Sequence, residues 1–173
     1  MSFADRVRIA EPWRRTPDDI VVALGAFPVA NIGDAMERLG MCDGGIAALW
    51  SGARAAGTVL PVLTSSGDNA AVIEALEYAR EGDLLVVNGF GHTHRALVGD
   101  QLARRYAAKG VTGAVIDGAV RDRDTIAALR FPIWARATSP AGPFKNGPGV
   151  IGEPVAVGGI VAAAGDVVVA DGD

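Results

Sequence analysis

The chain is 173 residues long, half of them hydrophobic and only 6% aromatic, with a mean hydropathy of +0.27. That length fits one domain whose core is built from Ala, Val, Leu and Ile, and the apolar surplus points to a buried subunit interface. A net charge of −4 and a pI near 5.1 argue against nucleic-acid binding, which needs a basic surface.

The single cysteine, Cys42, excludes an intramolecular disulfide and argues against a Cys-based zinc site. MSFADRVRIAEPWRR has no apolar core of signal-peptide length, so no export signal is expected and a reducing cytoplasm fits. RTPDDIVVALGAF predicts a helix with Thr16 as cap, Pro17 in first position, and Asp18 and Asp19 facing the helix dipole. NIGDAMERLGM predicts a second short helix closed by Gly40, with Asp34 and Glu37 as surface charge. GTVLPVLTS predicts a strand.

DNAAVIEALEYAREG predicts an amphipathic helix with Val72, Leu76 and Ala79 on one side and Gly82 at its end. DLLVVNG predicts a buried strand, followed by a Gly-rich loop and the helix GDQLARRYAAKG, which stops at Gly110. VTGAVIDG predicts another buried strand, DRDTIAALR a helix and FPIWARA a strand. From Ser65 to Ala137 helices and strands therefore alternate, which implies crossover connections and a largely parallel sheet. After residue 140, short Gly- and Val-rich strands suggest a β-layer packed on the α/β part. Val155 to Ala170, broken by glycines, is short for a membrane span and predicts two buried strands joined by a turn.

Ligands of such sheets bind beyond the carboxyl ends of the strands, which directs attention to VVNGFGHTHRALVGD and DGAVRDRD. Arg121 can grip a carboxylate in a two-pronged clamp, and Asp122 is a hard oxygen donor suited to magnesium or manganese. Read alone, Arg121-Asp122-Arg123-Asp124 is more often a solvated first helical turn. Asp100 opens a helix whose free Gln101 and Leu102 amides suit an anion, although capping its own helix is the commoner role. Two positions apart, His92 and His94 would share one face of a strand and could chelate zinc; in a Gly-rich loop they lack an obvious third ligand. Asn69 could hydrogen-bond a ligand, although capping of the following helix by Asp68 or Asn69 is the commoner reading. Lys145, in the loop GPFKNGPGVIG, either meets an anion or is solvated. The sequence has no phosphate-binding P-loop, no strand-linked G-x-G-x-x-G and no G-x-S-x-G elbow. These absences count against nucleotide and S-adenosylmethionine cofactors of the usual kind.

In order, NIGDAMERLG, SSGDN, GDLLVVNG, GDQLARRYAAKGVTGAVIDGAVRD, FPIWARA and GDVVVADGD resemble the RraA-like proteins and class II 4-hydroxy-4-methyl-2-oxoglutarate/4-carboxy-4-hydroxy-2-oxoadipate aldolases. The most specific element is an Asp, twenty residues, then Arg-Asp, satisfied here by Asp100 and Arg121-Asp122. The resemblance implies one RraA-like domain over residues 1–173, a swivelling α/β/β fold, and a homotrimer or dimer of trimers with sites at subunit interfaces. It implies that Asp122 binds Mg²⁺ or Mn²⁺ directly and Asp100 through water. It also implies that Arg121, with the Gln101 and Leu102 amides, holds the pyruvyl carboxylate, that Asn69 and Lys145 lie near substrate, and that Asp34 falls where the aldolases have a glutamate from a neighbouring subunit.

The implied activity is metal-dependent cleavage of a 2-oxo acid to pyruvate, as aldolase or oxaloacetate decarboxylase. The alternative is a non-catalytic RraA-like regulator that binds a ribonuclease. Two departures stand out. An acidic residue usually follows Arg-Asp at the position that is Thr125 here. Asp124 stands one place early, about 100° round a helix. The chain also stops at VVVADGD, where relatives usually continue into a strand and a terminal helix.

Overall fold

The computed structural model describes residues 6–10 and 13–173. The start of MSFADRVRIAEPWRR, where no export signal is expected, lies outside them. In chain order the elements are β1 (Val7–Ile9), α1 (Asp18–Gly25), α2 (Val29–Ala35), β2 (Ala47–Ala48), β3 (Ala55–Thr64) and α3 (Ala70–Glu74). There follow β4 (Asp83–Val98), α4 (Asp100–Ala108), β5 (Gly113–Val120), α5 (Arg123–Leu129) and β6 (Ile133–Thr138). Four short strands close the chain: β7 (Gly149–Ile151), β8 (Val155–Val157), β9 (Ile160–Ala162) and β10 (Val167–Ala170).

The expected parallel unit is present. β3, β4, β5 and β6 are neighbours in that order and pair in parallel. Their apolar runs are continuous because both faces are covered. On one face Leu60, Val62, Leu85, Val87 and Ile116 pack with Leu76, Tyr106 and Ile126 from the helical segments. On the other, Val59, Leu84, Val86, Val115 and Trp134 pack against Val155, Val157 and Ala162.

Several local expectations need correction. Thr16 does not cap α1: Pro17 takes the cap position, and the Thr16 hydroxyl donates to the Gly165 carbonyl at 2.5 Å. α2 starts at Val29, just after Pro28, and ends at Ala35. α3 is a single turn continued by a 3-10 turn, Ala75–Glu77, although Val72, Leu76 and Ala79 are all buried as the pattern requires. The expected separate β-layer is made by only part of the late strands, the β8–β9 hairpin, which packs on the second face of the sheet through Val155, Val157 and Ala162. β7 and β10 both join β3 antiparallel in the main sheet, and only β8 and β9 make a hairpin of their own. Val155 to Ala170 thus holds three strands.

The largest correction concerns β4. The Gly-rich stretch after Asn88 is not a loop but a bulged continuation of the strand through Val98. Asn88 pairs with Asp117 and Val98 with Val120, so the extra residues of β4 are absorbed by register shifts. Phe90 and Gly91 take positive φ at 58° and 64°, and Gly89 has no room for a Cβ, which would lie 2.4 Å from Leu97 Cδ1. This excursion delivers Val98, Gly99 and Asp100 to the end of β5.

Candidate functional site

The ends of β4 and β5 bring together the residues separated by twenty positions in sequence. The Arg121 amide donates to the Val98 carbonyl at 3.0 Å, fastening one strand end to the other. Asp122 then leaves β5 in a left-handed conformation, φ 60° and ψ 38°, at the cap position of α5. Asp is one of the few residues with a Cβ that adopt this region with any regularity, and such geometry concentrates at functional sites. Asp122 Oδ2 accepts the Asp100 amide at 3.2 Å and lies 3.4 Å from Arg121 Nε.

Gly99 lies under this pair. Its φ of −131° is ordinary, so its smallness matters for space alone. A Cβ there would come within 2.6 Å of Asp122 Oδ2 and 3.0 Å of Arg121 Nε. Asp100 opens α4 but does not cap it; its carboxylate lies 3.6 Å from Arg104, one helical turn on. Gln101 and Leu102 fall in the first turn of α4, where the helix itself leaves amides free. Arg123, expected to be solvated, instead donates from Nε to the Leu49 carbonyl at 2.7 Å. Asp124 and Thr125 are exposed.

A second wall comes from the loop before α3 and the loop after β6. Asp68, buried, accepts the Ala70 amide at 2.8 Å through Oδ1 and the Asn146 and Gly147 amides at 2.6 and 3.1 Å through Oδ2. Asp68, and not Asn69, therefore satisfies the start of α3, and it also pins the loop that carries Lys145. Lys145 itself is exposed. Asn69 is 5% exposed; its Nδ2 donates to the Leu97 carbonyl at 2.9 Å, and its Oδ1 is buried without a partner among the described residues. A buried unpaired acceptor is uncommon, and a ligand donor is one of the things that can satisfy it.

Arg95 and Phe144 of this wall carry no recognisable spacing in the sequence. Arg95 stacks on Phe144 and donates to the Gly142 carbonyl at 2.8 Å. His92 and His94 lie in β4 rather than in a loop, with ring centroids 5.7 Å apart and edge to face. His92 Nδ1 is 3.0 Å from Ser66 Oγ, and its Nε2 is buried without a partner among the described residues. Neither histidine joins a larger ligand set: among the described residues no three His, Cys, Asp or Glu side chains cluster for a metal. Asp34 is not brought to this cluster. It is exposed on α2, 3.9 Å from Arg38.

An open cleft of about 930 Å³ lies on the opposite face of the sheet, lined by Phe27, Met36, Met41, Val86, Trp134 and Val161. None of Asp100, Arg121, Asp122 and Asn69 lines it. Cys42 also lines it, and its partial burial, then the nearby Asp43 and Asp117 carboxylates, push its thiol up.

The family model described as RraA-like, Aldolase/RraA, matches residues 29–173. The chain belongs to the RraA-like family. It is 35% identical over 155 residues to a Halalkalibacterium halodurans protein named "Putative 4-hydroxy-4-methyl-2-oxoglutarate aldolase", covering 90% of this chain and 74% of that one. An Ectopseudomonas mendocina protein of the same name is 39% identical over 104 residues, covering 60% of this chain and 64% of its own length, just under two thirds. In structure the chain is similar to Streptomyces coelicolor RraAS2, described as an unusual member of the RNase ES inhibitor RraA protein family. There the TM-score is 0.82 and the identity 32%, with 93% of this chain and 84% of that one covered. Among the described residues, no helix of this RraA-like chain is long and apolar enough to cross a membrane.

Proposed function

We propose that this RraA-like chain is a cytoplasmic, divalent-metal-dependent lyase that cleaves a 2-oxo acid to pyruvate, as 4-hydroxy-4-methyl-2-oxoglutarate aldolase, oxaloacetate decarboxylase or both. The observation that carries the reading is the junction of β4 and β5, where Gly99 leaves room for Asp122 and Arg121 side by side. The donor set fits Mg²⁺ or Mn²⁺. Magnesium keeps much of its water and is commonly held by one or two carboxylates plus substrate, so two aspartates without a third acid suffice. Asp122 would hold the ion directly and Asp100 through water. Bound there, it would supply Lewis acidity toward the 2-oxo group of the substrate.

The chain's own residues then have distinct tasks. Arg121 and the Gln101 and Leu102 amides hold the substrate's C1 carboxylate. The Asp100 amide fixes Asp122 Oδ2 and so orients the other oxygen. As the C4 hydroxyl proton passes to a solvent hydroxide, the C4–O pair forms the carbonyl of the leaving fragment and the C3–C4 bond breaks. The bonding pair stays on the pyruvyl fragment as an enolate, which takes a proton at C3 from water to give pyruvate. The Arg121 charge, already in place, offsets that negative charge without reorganisation. In oxaloacetate the same pair is released by loss of CO₂. Asn69 and Lys145 border the substrate, and Asp34 is supplied to a neighbouring site in a homotrimer or a dimer of trimers.

The test is pyruvate release from oxaloacetate and from 4-hydroxy-4-methyl-2-oxoglutarate, with and without Mg²⁺. Turnover should need the metal and vanish in Asp122→Ala; metal-independent turnover, or a fully active variant, overturns the reading. A second reading, a regulator that binds a ribonuclease, is favoured by the likeness to RraAS2 and by Thr125 in place of an acid. Ribonuclease inhibition by the purified chain, without pyruvate release, would select it.

A further inference from the structure

We infer that the free edge of β10, with the apolar cleft beside it, is a strand-addition site for an extended partner segment that is apolar at alternate positions and basic at both ends. β10 pairs only with β3 and lies off the main path of the sheet. The Val59 amide donates to the Asp166 carbonyl, which sets the phase of this antiparallel ladder. Val168 and Ala170 face β3, and the N–H and C=O groups of Val167 and Val169 point away from it. Among the described residues nothing bonds to those groups. Natural edge strands are usually blunted by a charge, a proline or a bulge. The run Val167-Val168-Val169-Ala170 has none of these.

This edge faces the cleft. The next outward carbonyl, that of Asp171, accepts the Trp134 indole at 2.8 Å, and Trp134, Val167, Val168 and Val169 all line the cleft. Val86, Val115 and Trp134 form its floor, while Phe27 and Val161 stand on its rim, 55% and 69% exposed. Its volume of about 930 Å³ holds several side chains of an added strand. Backbone bonds to Val167 and Val169 would supply affinity, and alternate side chains placed in the cleft would supply selectivity.

Charge selects the occupant. No Lys, Arg or His lines the cleft, whereas Asp43, Asp166, Asp171 and Asp173 do. Arg136 already grips Asp43, but among the described residues no cation pairs with the other three. These three acids bracket β10, one before it and two after. A second copy of β10, added antiparallel, would set its Asp166 end against the Asp171 and Asp173 end, like charge against like. A partner segment with Lys or Arg at each end meets opposite charge at both.

The experiment is calorimetry of the chain with the synthetic peptide Lys-Lys-Val-Thr-Val-Thr-Val-Lys-Lys, with the same peptide carrying Pro for its central Val, and with one carrying Glu for every Lys. The first should bind, and the other two should bind at least about tenfold more weakly. Val169→Pro removes an outward N–H that β3 does not use, and edge strands accept proline in that position. This variant should fold normally by its circular-dichroism melt and weaken binding about tenfold or more. Asp166→Asn combined with Asp173→Asn should weaken it roughly three- to tenfold, and less at high salt. If Val169→Pro does not fold, amide hydrogen exchange of the wild type decides: the peptide should slow exchange at Val167 and Val169. Equal binding of the Pro or Glu peptide, unchanged binding to a folded Val169→Pro, or unchanged exchange across β10 overturns the inference. So does a free chain that is already a dimer by light scattering and becomes a monomer in Val169→Pro, since the edge then belongs to a second copy.

Discussion

Gly99 isolates the working geometry from the stability of the fold. The atom that a Cβ would strike is Asp122 Oδ2, the end of a side chain, so the carboxylate can swing aside and the backbone need not move. Gly99→Ala should therefore melt within about 2 °C of the wild type, yet lose at least about tenfold in metal-dependent turnover, because a displacement near 1 Å at a reacting centre can cost on the order of a hundredfold. A circular-dichroism melt and a pyruvate assay on one preparation check both halves. Asp122→Asn asks a different question. Asparagine tolerates the left-handed backbone as well as aspartate does, so this variant should fold normally and lose turnover through its charge alone. Asp100 and Arg121-Asp122 were visible in the sequence as a spacing. The left-handed turn and the Gly99 contact were not, because both exist only once β4 and β5 have closed on each other.

At the scale of elements, the alternation of α3, β4, α4, β5, α5 and β6 was legible because each strand is a short apolar run buried on both faces. The extent of β4 was not. Gly89, Phe90, Gly91 and the two histidines read as a loop, since a bulge and a loop use the same permissive residues. Pairing with β5 decides between them, and that partner is distant in sequence. Asp68 likewise read as a local cap; its larger task, holding the Asn146 and Gly147 amides, joins segments 78 and 79 residues apart. Asp68→Ala leaves those amides and the Ala70 amide without their acceptor. A buried carboxylate with several amide bonds is worth about 2–4 kcal/mol, which in a chain of this size lowers the melting temperature by roughly 5–15 °C. Limited proteolysis should then cut first within residues 142–148, and KM should rise more than kcat falls. Unchanged melting would show that the loop is held by other contacts.

Across the whole molecule, one arginine ties the two halves of the sheet's second face together. Arg136 of β6 reaches Asp117 of β5 through Nε and grips both oxygens of Asp43 at 3.0 and 2.9 Å. Asp117 also accepts the Gly158 amide at 3.1 Å, and Gly158 in turn accepts the Asp43 amide at 2.9 Å. The β8–β9 hairpin and the segment after α2 are thereby fastened to the central strands. No periodicity announces such a contact across 93 residues, and the sequence offered only a strand ending in Asp117-Gly118. The two carboxylates hold the Arg136 proton more firmly than usual, and the Arg136 hydrogen bonds, then the Gly45 amide, hold the Asp43 carboxyl below its ordinary value. A carboxyl whose folded pKa is depressed adds stability above its unfolded value, about 3.9, and loses it as the pH falls through the folded value. Melting temperatures of the wild type and Asp43→Asn should therefore differ by a constant amount from pH 7 down to about pH 5 and converge below about pH 4. Arg136→Met should do more harm at neutral pH than Asp43→Asn, because it strands the largely buried Asp117 charge without a cation. Parallel melting curves for wild type and Asp43→Asn down to pH 2.5 would show that the Arg136 cluster does not couple the hairpin's stability to Asp43.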